Sequence, residues 1–366
     1  TLYHLIFIVK IKNIMNVCII GNNLTSLTLA KTLINQGILV DIFSKKKVNK
    51  IDKTRTLGIS KTNTDFFNKN ILNINKLLWK IKKIEIFSER LKNEKLLNFQ
   101  KKDQQLFSII KNHELYDKLI NELNRSKSFN LKRNFSKKKY KLIINCEEGN
   151  NISKNFFYKK IKKNYNSFAH TTVIKHKKLS GNNIAIQIFT KNGPLAFLPI
   201  SETETSVVFS ARGSANIDLE KIIIKFNKKY KIIKFGKKSY FKLKSTNLRT
   251  YYHQNILAFG DQLHRVHPLA GQGFNMTIRD VSVLLRLIKF KSAHGLDLDH
   301  SICSAFEKET RHKNYLFSNG IDFVYEFFNL DSKIKGSVLV KSLQFLGKNN
   351  YINNFFTKSA DRGILN

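Results

Sequence analysis

Apolar positions change their period twice within residues 15–43. The run 17–20 (VCII) is continuous and stops at Gly21, as a strand buried on both faces requires, and Leu24, Leu27, Ala30 and Leu33 then recur at the three- and four-residue spacing of one helix face. A second short apolar run, 39–43, follows Gly37, which stands where a glycine ends a helix in the left-handed conformation. The pattern predicts strand, helix, strand: a βαβ unit. A similar order returns later in the chain. The run 256–259 leads into GDQLHRVHPLAGQGFNMTIRD (260–280), and Ile278, Val281, Leu284, Leu285 and Ile288 again have helical spacing. This predicts strand, acidic turn, glycine-rich loop and a helix starting near Phe274. Residues 301–330 and 332–360 alternate apolar positions with Lys and Asn at helical spacing. Their apolar faces (Phe317, Ile321, Val324, Phe328; Val338, Leu343, Leu346) are expected to join the core rather than anchor in a membrane. No internal repeat is visible.

Composition narrows the classes. A chain of 366 residues with 42% hydrophobic content can bury a large core in one large or two intimately packed domains. Cys18, Cys146 and Cys303 are far apart and share no metal-ligand spacing, so they read as reduced core thiols of a cytosolic protein, and no metal is expected. The 65 Lys+Arg against 26 Asp+Glu give a formal charge of +39. That excess points towards nucleic acid or an anionic membrane. The basic residues are mostly Lys spread among Asn and Ile along the whole chain, with no nucleic-acid motif and no aromatic residues at stacking intervals. Nucleic acid is therefore set aside as a partner, and a weak membrane-surface association is retained. No apolar run reaches the roughly 18 residues needed to span a bilayer. Residues 1–14 are apolar but short and lack a small-residue cleavage site; they are expected to be a non-core extension ahead of the first strand.

The chain has only three prolines, Pro194, Pro199 and Pro268, confined to GPLAFLPI (193–200) and the glycine-rich segment. A sequence so poor in proline is expected to keep it where fixed φ is required. Gly271 and Gly273 let the backbone approach a bound group, and the helix that follows aims free N–H groups and a positive dipole end at it. Such a site suits an anion or an electron-rich ring. The first βαβ unit is where a dinucleotide pyrophosphate would sit, but its three glycine positions are Gly21, Asn23 and Ser26. The second glycine permits close approach and the third permits tight packing. Asn tolerates left-handed backbone and Ser is nearly as small as Gly. Ser44 stands where an acidic ribose ligand is expected. This segment alone leaves a dinucleotide site and a purely structural βαβ unit both open.

The segment 260–280 closely resembles the second FAD-binding motif of flavoprotein aromatic hydroxylases, in the HPLAGQG version of UbiH-type ubiquinone-biosynthesis monooxygenases. Weaker stretches follow in family order. RTLGIS (55–60) resembles the segment whose arginine lies near the cofactor. YKLIINCEEG (140–149) resembles a strand ending in Asp-Gly, with Glu148 in place of the aspartate, and GPLAFLPI resembles the substrate-domain strand that faces the flavin. The resemblance covers 15–360 and is strongest over 185–287. It implies an α/β fold: a Rossmann-like FAD-binding domain interleaved with an antiparallel substrate-binding sheet, plus C-terminal helices at about 299–360. FAD-binding parts are expected at about 15–80, 140–155 and 250–290, and the substrate sheet at about 81–139 and 156–249. Residues 123–140 are polar where the family usually places several strands, so the accessory sheet there is expected to be reduced.

The resemblance also implies the chemistry: flavin reduced by NAD(P)H, reaction with O2 to a C4a-hydroperoxide, and hydroxylation of the ring of a prenylated phenol or quinone precursor. It assigns Gly21, Asn23, Ser26, Arg55 and Gly260 to FAD, and Asp261 to the ribityl hydroxyls. Leu269, Ala270, Gly271, Gln272 and Gly273, with the helix start at Phe274 and Asn275, are assigned to the flavin ring edge. His267 and Pro268 fall at the catalytic position, with His267 either assisting proton movement or holding the loop. Phe197 and Pro199 are expected to border the substrate, and adjacent Arg279 and Asp280 to pin different neighbours. Further expectations are a cytoplasmic protein peripheral on the inner membrane face and a ubiquinone-biosynthesis protein complex as partner. The alternatives are a flavin hydroxylase of another aromatic and a catalytically inactive assembly subunit of the same fold.

Overall fold

The computed structural model describes residues 15–45, 51–91, 95–100, 105–213, 215–268 and 271–333. The expected extension 1–14 and the helical segment 334–360 lie outside them. The first apolar run is β1 (Asn16–Ile20), the helix-spaced residues form α1 (Leu24–Ile34), and Gly37 at φ +75° turns the chain into β2 (Leu39–Phe43). Next come β3 (Thr56–Ser60), α2 (Lys61–Asn70), β4 (Trp79–Ile81), β5 (Lys83–Ser88), β6 (Lys95–Gln100), β7 (Phe107–Lys111), α3 (Asn112–Asn124), β8 (Phe129–Lys132), β9 (Leu142–Asn145) and α4 (Asn151–Phe156). The middle of the chain supplies β10 (Lys160–His176), β11 (Ile184–Thr190), β12 (Gly193–Pro199), β13 (Glu204–Arg212), α5 (Leu219–Phe226), β14 (Ile232–Phe235) and β15 (Ser239–Leu248). Last are β16 (Tyr252–His253), β17 (Ile256–Ala258), β18 (His264–Arg265), α6 (Gln272–Ala293) and α7 (His300–Lys333).

Three sheets result. The first has the order β16-β17-β9-β1-β2-β8, and its strands from β17 to β8 are parallel. Val17, Ile19, Val40, Ile42, Ile143 and Leu257 are fully buried in it, which is why its strands read as unbroken apolar runs. The second, nine-stranded sheet runs β18-β15-β10-β13-β12-β11-β5-β6, with β14 on β10, and is antiparallel except between β5 and β11. Strand alternation gives it two unlike faces. Ile174, Leu195, Phe197, Val207 and Phe209 pack beneath Leu219 and Ile223 of α5, while Ala196, Leu198 and Val208 point the other way and stay partly exposed. The third sheet is β3-β7-β4.

The expected span 81–139 for the substrate sheet needs correction. Only β5 and β6 join that sheet. Leu115, Tyr116, Leu119 and Leu123 give α3 an apolar stripe that packs into the core of the parallel sheet, and β8 then pairs with β2. The polar look of 123–140 has a cause in Asp41 of β2, which is 2% exposed. Lys132, Tyr140 and Asn130 reach it at 2.6, 2.6 and 3.0 Å. Its own burial works against ionisation, but these three hydrogen bonds outweigh it and hold the carboxyl below the usual range. Cys18, Cys146 and Cys303 are free and buried.

Candidate functional site

The carboxyl ends of β1, β9 and β17 lie side by side, at the edge where open parallel sheets place their ligands. Gly21 leaves β1 at φ +110°, and a side chain there would come within 3.2 Å of Glu147 Cβ. Asn23, the second eroded position, is the N-cap of α1. Its Oδ1 accepts from Ser26 N at 3.0 Å and Ser26 Oγ at 3.1 Å, while its Nδ2 donates to Cys146 O at 2.8 Å. Its φ of −112° is ordinary extended backbone, so this turn does not need a glycine there. Ser26 is completely buried against the cap, while Asn23 is exposed at the mouth of the turn. Gly260, at φ +62°, brings the end of β17 against the first turn of α1: an added Cβ would lie 2.7 Å from Thr25 Cγ2. Asp261 therefore stands beside the start of α1. Its side chain is 68% exposed, with Arg265 3.6 Å away.

Glu148, the residue in place of the expected aspartate, lies within 3.0 Å of Arg265, 3.2 Å of Lys160 and 3.8 Å of Lys244. Burial raises its pKa, but the field of Arg265 and Lys160 outweighs that and keeps the carboxyl below its usual range. Lys160 also reaches Gln262 Oε1 at 3.2 Å, so the crevice floor is tied to the turn after β17.

The glycine-rich loop is fastened to all its neighbours. β18 pairs with β15, matching His264 to Asn247. Gly271, at φ +66°, packs on β3, where an added Cβ would be 3.0 Å from Gly58 N. Asn275 Oδ1 accepts from Ser60 N and Asn63 Nδ2, both at 2.9 Å, and its Nδ2 donates to Gly58 O at 2.9 Å. That side chain is thus committed to β3 and α2. Phe274 is buried against Phe67. Arg279 stacks over Phe317 while Asp280 turns to His264 and Asn314, so the adjacent pair does hold different neighbours. Gly273 is required neither by φ nor by contact; the nearest atom to an added Cβ would be Val266 Cγ2 at 3.9 Å.

His267 is 1% exposed, edge-on to Tyr165 with ring centres 5.0 Å apart and tilted over Tyr325 at 4.3 Å. Burial lowers its pKa to about 3, so the ring is neutral at physiological pH. Among the described residues neither ring nitrogen has a partner, and Gln272 Oε1 and Gln262 Nε2 are likewise buried and unpartnered. His264 Nδ1 adds a fifth, so five buried polar atoms within 262–272 have no partner among the described residues, where such atoms are nearly always paired. Pro268 follows His267; Leu269 and Ala270 lie outside the described residues. Tyr165 and Tyr325 were not legible as site residues. Tyr165 sits on a β-bulge between Asn164 and Phe168, and Tyr325 arrives from α7.

The remaining expected residues are dispersed. Arg55 is exposed and lies over the Phe241 ring at 4.8 Å. Phe197 is 1% exposed in the cluster under α5 with Leu195, Phe209 and Tyr230, and the pleat puts Pro199 on its side of the strand. The face of β12 turned towards β3 carries Ala196 and Leu198 instead: Thr56 Oγ1 meets Ser206 Oγ of the adjacent β13 at 3.0 Å on that side. The expected substrate residues Phe197 and Pro199 therefore lie on the face turned to α5, and Ala196 and Leu198 on the face turned to β3.

This fold is shared with solved flavin-dependent monooxygenases. It matches p-nitrophenol 4-monooxygenase PnpA from Pseudomonas putida DLL-E4 with a TM-score of 0.74 at 10% identity, covering 95% of this chain and 98% of that one. Klebsiella pneumoniae HpxO, solved with FAD and uric acid, matches with a TM-score of 0.73 at 11% identity over 96% and 97%. The FAD binding domain family model matches residues 223–294, across the glycine-rich segment, and supports FAD as the cofactor. In sequence the chain is similar to ubiquinone-biosynthesis FAD monooxygenases, as the glycine-rich motif implied. It is 24% identical over 251 residues to the ubiquinone biosynthesis monooxygenase COQ6, mitochondrial, of Schizosaccharomyces pombe, covering 55% of this chain and 52% of that protein. The same-named Danio rerio protein is 26% identical over 215 residues, 46% and 44% of the two chains, and the Escherichia coli 3-demethoxyubiquinol 3-hydroxylase is 25% identical over 157 residues, 39% of each. The chain thus matches about half the length of these relatives or less.

Proposed function

We propose that this chain binds FAD along the crevice from Gly21 to Gly273 and uses it to hydroxylate the aromatic ring of a polyprenylated phenol or quinone precursor in ubiquinone biosynthesis, with NAD(P)H as reductant and O2 as oxidant. The observation that carries the reading is the convergence of two glycine turns, at Gly21 and Gly260, on the Asn23-capped N-terminus of α1, with five buried polar atoms of 262–272 left without a partner among the described residues. Bound flavin would supply electron transfer from the nicotinamide and activation of oxygen. The protein does the rest.

The capped start of α1 offers backbone N–H groups and a positive dipole end to a pyrophosphate, with Asn23 and Ser26 shaping the turn. Asp261, exposed at the mouth, accepts from ribityl hydroxyls. The first turn of α6, with Gly271 and Gly273, presents N–H donors to the ring edge on which negative charge gathers in the reduced state. His267, neutral and without a hydrogen-bond partner among the described residues, offers a hydrogen-bond donor and an acceptor beside Pro268 and, with Tyr165 and Tyr325, excludes water. The ring to be hydroxylated lies against the face of β12 bearing Ala196 and Leu198, an apolar surface suited to a prenylated ring. Among the described residues no helix is long and apolar enough to cross a membrane. With a prenylated substrate, weak association with an anionic membrane surface and with other ubiquinone-biosynthesis proteins is part of the proposal.

The test is a visible spectrum of the purified protein, followed by NAD(P)H oxidation and complementation of bacterial strains that each lack one ubiquinone ring hydroxylase. Bound oxidised flavin and restored quinone in at least one strain are expected. A colourless protein would favour an inactive subunit. Flavin bound but failure in every strain, with NAD(P)H oxidised only alongside a soluble aromatic acid, would transfer the assignment to another aromatic substrate.

A further inference from the structure

At the far end of the large sheet, a cleft of about 330 Å³ opens where the loop before β3, the end of β7, β10, the start of β13 and β14 meet. Its rim is cationic: Lys53, Lys111, Lys175, Lys234 and Lys237 face one carboxylate, Glu204. Glu204 is already shared between Lys111 at 3.2 Å and Lys175 at 3.8 Å. Among the described residues Lys53, Lys234 and Lys237 form no ion pair. Lys175 and Lys234 are moreover direct register partners across β10 and β14, an arrangement of like charges that destabilises an antiparallel pair. Lysine is abundant throughout this chain, but here three ammonium groups without an ion pair, from the loop before β3 and from β14 and the turn after it, border one concavity that an anion would complete. The floor is largely backbone. Gly236 N donates to Val173 O at 2.8 Å, and an added Cβ at Gly236 would lie 2.7 Å from that oxygen, so glycine lets the chain after β14 close on the backbone of β10.

The cleft is distinct from the turn at Gly21, and it is connected to the glycine-rich loop. Thr54, in its wall, is hydrogen-bonded to Thr171 at 2.8 Å, and after a turn the chain enters β3 at Thr56 and reaches Gly58, on which Gly271 packs. The strand part of that path is about 7 Å long, within the span of an extended dinucleotide.

We propose that this lysine cleft binds the phosphate groups of the reduced dinucleotide, leaving its nicotinamide end free to reach towards the loop at Gly271. The inference rests on the reading of NAD(P)H as reductant. The shared chemistry is phosphate, which a lipid headgroup also carries, and the experiment separates the two sources.

The flavin-loaded full chain is titrated with NADP+ by calorimetry at low and moderate salt, and separately with phosphatidylglycerol vesicles. The comparison is with Lys53→Gln/Lys234→Gln/Lys237→Gln and with Lys237→Gln alone. The triple variant is expected to bind NADP+ roughly tenfold or more weakly, with a shallower salt dependence. The single variant should lose less, and flavin absorbance and melting temperature should be unchanged in both. Variants that bind NADP+ as tightly as the parent overturn the cleft assignment alone. Loss of vesicle binding with NADP+ binding intact assigns the cleft to lipid and overturns it too. A flavin-loaded parent that binds neither NADP+ nor NAD+ overturns the reductant reading, and the cleft assignment with it.

Discussion

His264 Nε2 lies 2.6 Å from Asp280 Oδ2 with both side chains buried, so the glycine-rich segment is closed on itself across sixteen residues. Asn314 of α7 donates to the other Asp280 oxygen at 2.9 Å, and Ser318, one turn on, donates to Asn247 of β15 at 3.1 Å. The loop between these anchors carries His267 and Gly271. The two ends of the segment are therefore held by a buried polar network that spans α6, α7 and the large sheet, and donors on fixed supports need not reorganise to meet a ligand.

Removing one partner of that network leaves the others buried and unpaired. Asp280→Ala should lower stability by about 3 kcal/mol, read from urea unfolding, and should also reduce retained flavin. A variant as stable as the parent would show that His264 finds another partner and that the loop is held elsewhere.

Asp261 is exposed and only loosely paired, so its removal should affect a ligand more than the fold. Asp261→Ala is expected to weaken FAD binding by about 1.5 to 3 kcal/mol, the worth of a charge-assisted hydrogen bond, with no change in melting temperature of the apoprotein. Full flavin occupancy in this variant, measured after dialysis, would remove Asp261 from the site.

Asn23 does two jobs that glycine cannot do, the cap on Ser26 and the bond to Cys146 O. Asn23→Gly should reduce stability by on the order of 1 kcal/mol while FAD affinity stays equal or improves, because the side chain at the mouth is gone. A large loss of FAD affinity at preserved stability would mean that Asn23 contacts the cofactor itself.

Much of this was legible before the structure. β1, α1, β2, the Gly37 turn and the start of α6 follow from apolar spacing and helix-stop chemistry, which are local signals. What could not be read was tertiary. Asp41 gives no sign in sequence that Lys132, Tyr140 and Asn130 will meet on it, and so β8 hid in a stretch that looked like polar loop. Asn275 looked like a ligand residue, but its side chain is taken by Ser60, Asn63 and Gly58, more than 200 residues earlier. The placing of Phe197 has a different origin: strand alternation fixes which residues share a face, but not which face meets a substrate.

The cluster around Glu148 makes an acid-side prediction. Its carboxyl pKa is lowered in the fold, where the cations outweigh its burial, against about 4.3 in the unfolded chain. Stability from this group is therefore complete above the unfolded value and is lost as pH falls through the lowered one. Glu148→Gln should flatten the stability profile below about pH 5 relative to the parent. Parallel profiles for the two proteins, from denaturant titrations at several pH values, would show that Arg265 and Lys160 do not stabilise the charge.

The two faces of β12 should respond oppositely to substitution. Phe197 fills the core under α5, so Phe197→Ala should cost about 3 to 5 kcal/mol of stability through the cavity it leaves. Turnover per folded, flavin-loaded molecule should change little. Leu198 faces the other way, is partly exposed, and borders Ile81, Ile109 and Ala185 only in part. A charge there would oppose a prenylated ring without disturbing FAD, so Leu198→Glu should raise KM for a prenylated substrate by an order of magnitude or more at nearly unchanged flavin content, as a desolvated charge costs several kcal/mol in an apolar site. The unfolding curves and KM values of the two variants decide the face. If Phe197→Ala raises KM at normal stability while Leu198→Glu leaves KM alone, the substrate lies on the α5 side and the placement of the ring against Ala196 and Leu198 is wrong.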